Sequence, residues 1–169
     1  LAACRSEPPP ITFATLNTGY RTPIKPPIVN IDEPAMLDIQ WNDKFSVGHE
    51  RIDHEHQVFL DLIRNVAYAA DHHFPQERIT RLLEEVRKYA DFHFYSEENI
   101  MLDNDYPDYE AHHREHKLLL FRLDDKLCEL RKGDIGLHEI VQFLFEWFAL
   151  HTIASDRKLA NHVLKHNPP

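Results

Sequence analysis

Residues 111 to 121 read AHHREHKLLLF, and this segment indicates the type of fold. Three histidines fall within five positions, directly before an apolar run. From this run onward, leucines recur at spacings of three and four: Leu119, Leu123, Leu127 and Leu130. That spacing marks one face of an α-helix. His112 and His116 lie on the same face, so the pattern predicts a helix whose buried side changes from leucine to histidine.

The composition restricts the class of protein. The chain has 169 residues, of which 43 % are apolar and 28 % charged, as expected for one soluble globular domain with or without a tail. A formal net charge of −9 argues against a nucleic-acid binder, which needs a basic surface. There is no apolar run long enough for a transmembrane helix, so no membrane span is predicted. Thirteen histidines against two methionines require an explanation.

The N-terminal residues differ from the rest of the chain. Residues 1–38 hold seven of the eleven prolines and lack helical periodicity, so we expect a proline-rich, weakly ordered arm or linker, followed by a bundle domain over residues 39–169. Cys4 and Cys128 suggest no disulfide framework, and we expect a cytoplasmic protein. The alternative is a lipid-anchored or periplasmic protein, because LAAC at the N-terminus is similar to a lipoprotein processing site.

Four long segments with helical periodicity follow the arm. They cover about residues 49–71, 76–103, 108–132 and 136–165, and none shows the alternation of a strand. Short loops between long helices make sequential helices antiparallel neighbours. The sequence therefore predicts an all-α fold, an up-down-up-down antiparallel four-helix bundle.

Polar side chains fall on the inner faces of all four predicted helices. Five are histidines and one is a carboxylate: His56, His93, Glu97, His112, His116 and His151. Burying each of these without a partner would cost roughly 2–7 kcal/mol. Metal ions would satisfy them together, and histidine with carboxylate favours iron, and zinc or manganese less specifically. Six groups exceed the four ligands of a tetrahedral zinc site, so we expect two metals bridged by carboxylates.

Each motif alone has a simpler interpretation. A single HxxxH pair can occur on any helix, and an isolated inward histidine is more often a hydrogen-bonded core residue. Glu110 and His113 form a rival ExxH motif of the ferritin-like kind, but that architecture needs a second such motif and two further glutamates. The convergence of all the motifs on one set of inner faces favours the metal centre.

Four segments resemble the signature motifs of the hemerythrin family, in order and at similar spacing: IDHEH (52–56), HFYSEE (93–98), HHREH (112–116) and EWFALHTIASD (146–156). The opening QWNDKFSVGHERID is similar to the start of bacterial members, the bacteriohemerythrins. The resemblance covers about residues 38–165. It implies a non-haem site with two iron ions per chain, bridged by an oxo or hydroxo group, that binds O2 reversibly as hydroperoxide.

The resemblance also implies ligand roles. It assigns His112, His116 and His151 to one iron and His56 and His93 to the other. Glu97 and Asp156 would bridge the two irons. The iron with two histidines would keep an open position for O2. His151 and Asp156 lie five residues apart, which leaves about 140° between their side chains on an ideal helix. We therefore expect a π-bulge between them.

Five residues are expected around the open position: Phe59, Phe94, Trp147, Phe148 and Thr152. The aromatic ones equally suit ordinary core packing. Thr152 departs from the family, which usually places a large aliphatic residue there, and Leu159 departs where many members place tyrosine. Both departures put the lifetime of the O2 complex in question. The remaining histidines are expected at the surface: His49, His54, His72, His73, His113, His138, His162 and His166. Glu98 is expected beside a ligand or at the surface.

The family leaves the use of the site open. We expect an O2-binding protein for carriage, storage or delivery, with no catalytic residues and no enzymatic activity. One alternative is an O2 or redox sensor domain that signals to an unidentified partner. Another is a di-iron peroxidase or nitric-oxide-handling enzyme, but the sequence offers no acid or base beyond the ligands to support turnover.

Overall fold

The computed structural model describes residues 39–166, which are helical throughout most of their length. The helices are α1 (Glu50–Asp71), α2 (Gln76–Asp103), α3 (Tyr109–Lys132), α4 (Leu137–His151) and α5 (Arg157–His166). A 3-10 turn at Asp43–Phe45 precedes α1, and a π-helical turn at Thr152–Asp156 joins α4 to α5. No strand occurs in the described part of the chain.

Each long helix packs against its neighbour in sequence, and α1 also packs against α4. This closed order is that of an up-down-up-down bundle, which confirms the predicted all-α four-helix bundle. The predicted fourth segment corresponds to α4, the π turn and α5 in succession. The arm expected over residues 1–38 lies outside the described residues. None of the helices within 39–166 is long and apolar enough to cross a membrane.

The helix ends follow from local chemistry. The side chain of His49 caps α1 by accepting the Ile52 N–H at 3.4 Å. Gly133 ends α3 in the left-handed conformation, with φ of 78°, and its N–H donates to the Leu130 carbonyl at 3.0 Å. A residue without Cβ adopts this conformation at little cost, so α3 ends sharply and the chain can turn into α4.

Two apolar clusters fill the bundle. The larger one includes Phe59, Phe94, Leu123 and Leu144, and the smaller one includes Ile52. The smaller cluster also draws on residues of α2, α5 and the segments beside them: Val47, Ile100, Met101, Tyr106, Leu159, Ala160 and Val163. Between the two clusters, along each long helix, lies a layer of buried polar side chains. The core thus isolates this layer from solvent on both sides.

One core position differs from the prediction. Leu82, expected in the inner seam of α2, is only partly buried, whereas Leu83 is 1 % exposed. The buried face of this part of α2 follows Ile79, Leu83, Val86 and Ala90, in steps of four, three and four, which leaves Leu82 at its edge.

Candidate metal centre

Seven side chains converge in the polar layer, and none is more than 4 % exposed: His56, His93, Glu97, His112, His116, His151 and Asp156. Every long helix contributes to this set, and Asp156 comes from the π turn. These are the seven residues that the sequence resemblance assigned to the metals, and the fold brings all of them together.

The potential ligand atoms form two groups, and within each group they lie within 4.8 Å of one another. One group contains three histidines from α3 and α4: His112, His116 and His151. The other contains two histidines from α1 and α2, His56 and His93. Both groups include the carboxylates Glu97 and Asp156. We call them the three-histidine and the two-histidine positions. Two positions that share two carboxylates suit a pair of bridged metal ions.

Asp156 faces both positions with different oxygens. Its Oδ1 lies 3.0 Å from His151 Nε2 and 3.2 Å from His112 Nε2. Its Oδ2 lies 3.2 Å from His56 Nε2, in the two-histidine position. One oxygen toward each position is the geometry that a bridging carboxylate requires.

Glu97 divides its oxygens in the same way. Its Oε2 lies 3.3 Å from His116 Nε2 and 4.0 Å from His112 Nε2. Its Oε1 lies 3.8 Å from His93 Nε2. The two carboxylates therefore span the same pair of positions.

Several atoms of the layer are buried without a hydrogen-bond partner among residues 39–166. They include both oxygens of Glu97, both oxygens of Asp156 and both ring nitrogens of His56. Each unsatisfied buried polar atom costs about 1–3 kcal/mol, and more if charged. In addition, His151 Nε2 lies only 3.1 Å from His116 Nε2. Ring nitrogens and carboxylate oxygens that converge in this way fit bound cations.

The electrostatics of the layer also favour cations. Burial and the nearby Asp156 raise the pKa of Glu97 well above its usual value. Burial alone would raise the pKa of Asp156, but His151, His112 and His56 hold it well below its usual value. Burial would likewise lower the pKa of His151, yet Asp156 raises it to about 10. The carboxylates and histidines of the layer thus strongly influence one another's protonation, and a bound metal would replace the protons on its ligands.

The π turn solves the spacing problem between His151 and Asp156. Its five residues, Thr152–Asp156, widen the helix by one residue at this point. Both side chains therefore reach the same layer, although about 140° would separate them on an ideal α-helix. The predicted π-bulge is confirmed.

Glu55 is a residue that the sequence analysis missed. It is 6 % exposed, and one of its oxygens accepts a hydrogen bond from His93 Nδ1 at 2.9 Å. The other accepts from the Ser96 hydroxyl at 2.7 Å. Glu98 and Glu115 make comparable contacts with ligand histidines. Glu98, expected beside a ligand or at the surface, lies beside His116. Glu55 and Glu115 each directly precede a predicted ligand histidine, which is the signal that could have found them.

The five residues expected around the open position are all buried: Phe59, Phe94, Trp147, Phe148 and Thr152. Phe94 stacks on His116 with ring centroids 4.0 Å apart, beside the three-histidine position. Phe148 meets the edge of His56 at 5.4 Å, beside the two-histidine position, and Phe59 stacks on Phe148 at 5.6 Å. An aromatic wall thus covers both positions. Its role in ligand binding stays a prediction.

Five of the eight histidines expected at the surface are exposed: His54, His72, His73, His138 and His166. The prediction is wrong for the other three, which are partly buried because each has a structural partner. His49 caps α1, and His162 Nε2 lies 2.8 Å from the Asn104 carbonyl oxygen. His113 stacks on Tyr109 with ring centroids 5.6 Å apart.

The rival ExxH motif finds no support in the geometry. Glu110 is exposed, and His113 Nδ1 lies 2.8 Å from Glu98 Oε1, outside the ligand set. Leu159, the other departure from the family pattern, is fully buried in the smaller apolar cluster.

A four-helix bundle with a buried histidine–carboxylate layer that could hold metal ions defines a class of metal-binding protein. The model of the hemerythrin HHE cation binding domain matches residues 47–165. The chain therefore belongs to the hemerythrin family. Membership, together with the buried cluster, supports a di-iron oxygen-binding domain.

Two bacterial relatives and one solved structure are similar to the chain. The chain is 25 % identical over 131 residues to a bacteriohemerythrin of Stenotrophomonas maltophilia, covering 78 % of this chain and 85 % of that protein. It is 28 % identical over 131 residues to a bacteriohemerythrin of Ralstonia nicotianae, covering 77 % and 92 %. A crystal structure of wild-type hemerythrin shares the fold, with a TM-score of 0.66 and 22 % identity over 73 % of this chain and 96 % of that one.

The two adjacent histidines of α3 give a test of the ligand assignment. His112→Ala should lose bound iron, because it removes a buried nitrogen that faces both shared carboxylates. His113→Ala should retain iron, because this ring lies outside both ligand groups. Metal analysis of the two purified variants after iron loading measures the difference. Equal iron contents would show that the assigned face of α3 is wrong.

Proposed function

We propose that the chain binds O2 reversibly at two iron ions and serves in oxygen carriage, storage or delivery. The observation behind this proposal is the unequal pair of positions, with three histidines on one side, two on the other, and two shared carboxylates. A purely structural site would be expected to give both metals a full set of protein ligands. The missing ligand supports an open coordination position.

The two-histidine position would take the exogenous ligand. His56 and His93 would hold that iron, and the carboxylates Glu97 and Asp156 would tie it to its partner. When bound, the irons supply the electrons that reversible O2 binding requires. The protein supplies ligands of suitable type and a site from which water is excluded.

Exclusion of water is the contribution of the aromatic wall. Phe148 packs on His56, and Phe59 packs on Phe148 and on Trp147, with ring centroids 5.3–5.6 Å apart. Water and protons that reach bound oxygen promote irreversible oxidation of the irons, so large apolar side chains here favour a reversible cycle. Trp147 is 7 % exposed and separates this wall from the surface.

A sensor or redox role is the second candidate, and Thr152 is the observation that favours it. This residue is 1 % exposed and directly follows His151, at the start of the π turn. Its hydroxyl can donate a hydrogen bond where an aliphatic side chain could not, and its smaller volume leaves room for water. Both effects would shorten the lifetime of the oxygenated form.

Reversible oxygenation provides the test of the proposed function. The ferrous protein, mixed with O2, should develop a visible charge-transfer band that disappears when O2 is removed and returns when it is readmitted. Stopped-flow and steady-state absorption spectroscopy measure both changes. A ferrous protein with its full complement of iron that shows no such reversible band would contradict the proposal.

Replacement of Thr152 tests its effect on the oxygenated form. The band should decay about 10–100-fold more slowly in Thr152→Ile, because a hydrogen bond to a charged group is worth roughly 1.5–3 kcal/mol. Thr152→Val removes the hydroxyl at nearly constant volume, so it separates the hydrogen bond from the change in space. Time courses of the band in the three proteins give the rates. Decay in both variants as fast as in the unmodified protein would exclude Thr152 as the cause.

A further inference from the structure

We propose that Glu98 and Glu115 are positioning residues, which lie outside the ligand set and orient two of the three histidines of the three-histidine position. This inference rests on the metal centre of the proposed function but not on its use of O2. It assigns these carboxylates control over the strength with which that position holds its metal.

Glu98 links α2 to the histidines of α3. Its Oε1 accepts a hydrogen bond from His116 Nδ1 at 3.0 Å, and the Glu98 side chain is only 16 % exposed. The same oxygen lies 2.8 Å from Nδ1 of His113, whose ring stacks on Tyr109. Two neighbours therefore confine the carboxylate, and it can hold the His116 ring in a fixed orientation.

Glu115 links α3 to the end of α4 and to the π turn. Its Oε1 accepts a hydrogen bond from His151 Nδ1 at 3.2 Å, and its Oε2 accepts from the Ser155 hydroxyl at 2.7 Å. Because Ser155 directly precedes Asp156, Glu115 also fixes the turn that supplies the shared aspartate.

These contacts set the chemistry of the two rings. An Nδ1–H that donates to a carboxylate leaves Nε2 unprotonated and free to bind a metal. Both Nε2 atoms, of His116 and His151, lie 3.1 Å apart within the three-histidine position. The anionic acceptors also make the rings more basic, which strengthens their bonds to a cation and favours its oxidised state.

The two metal positions receive unequal support. In the three-histidine position, Glu98 and Glu115 each hold one ring, whereas His112 Nδ1 has no hydrogen-bond partner within residues 39–166. In the two-histidine position, Glu55 holds the His93 ring, whereas the ring nitrogens of His56 have no hydrogen-bond partner among the described residues. Two supporting carboxylates at the three-histidine position, against one at the two-histidine position, favour tighter metal binding at the former. The metal of the two-histidine position should therefore exchange more readily.

The test is the affinity of the protein for ferrous iron, measured without oxygen by competition with a chelator. Glu98→Ala and Glu115→Ala should each weaken binding by about 10–100-fold, the usual effect of losing a group that supports a metal ligand. Glu85→Ala and Glu110→Ala are matched controls, because they remove the same charge from exposed positions on α2 and α3. Their affinity should be unchanged.

A conservative pair of variants separates positioning from folding. Glu98→Gln and Glu115→Gln keep an oxygen acceptor but not the charge, so their affinity should fall between those of the alanine variants and the unmodified protein. Thermal melting of the metal-free proteins checks that each variant folds, and where an alanine variant does not, its glutamine counterpart supplies the comparison.

Two results would overturn the inference. One is iron affinity in the alanine or glutamine variants equal to that of the unmodified protein, and the other is an equal loss in the exposed controls. The proposed function is tested separately. Unmodified protein that binds iron tightly but shows no reversible oxygen band would refute oxygen carriage and leave the roles of Glu98 and Glu115 intact.

Discussion

Two carboxylates are buried side by side in the middle of the bundle, and the surrounding residues must compensate their charge. Glu97 and Asp156 are both fully buried, and five histidines surround them between two apolar clusters. An uncompensated charge in such a place is strongly unfavourable, and the layer contributes little of the packing that stabilises a bundle core. Two cations, as we propose, would convert this layer from a source of instability into a link among all four long helices.

Much of this arrangement could be predicted from the sequence, because helical periodicity and ligand chemistry point the same way. The phase of the leucines on α3 was enough to place His112 and His116 inside. Once the family resemblance made Asp156 a ligand, its five-residue spacing from His151 required a π turn. In both cases a local rule fixes the direction of a side chain. The family resemblance supplied the pairing of ligands to metals, which periodicity alone could not provide.

The supporting carboxylates could not be predicted in the same way. Glu55 and Glu115 each precede a ligand histidine, so they lie about 100° around the helix from the inner face. Whether such a flanking residue reaches solvent or a neighbouring helix depends on how the helices pack. The partial burial of His113 has the same origin, since its contact with Glu98 crosses from α3 to α2. The buried face of one helix is recognisable from its periodicity in the sequence, whereas a contact between two helices is not.

We propose that the buried layer is a site for two metal ions that also holds the bundle together. Iron analysis of the anaerobically loaded protein, paired with thermal melting before and after metal removal, tests it most directly. The two ligand groups predict about two irons per chain and a clearly lower melting temperature for the metal-free form. A single bound ion, or equal melting temperatures with and without iron, would contradict the account.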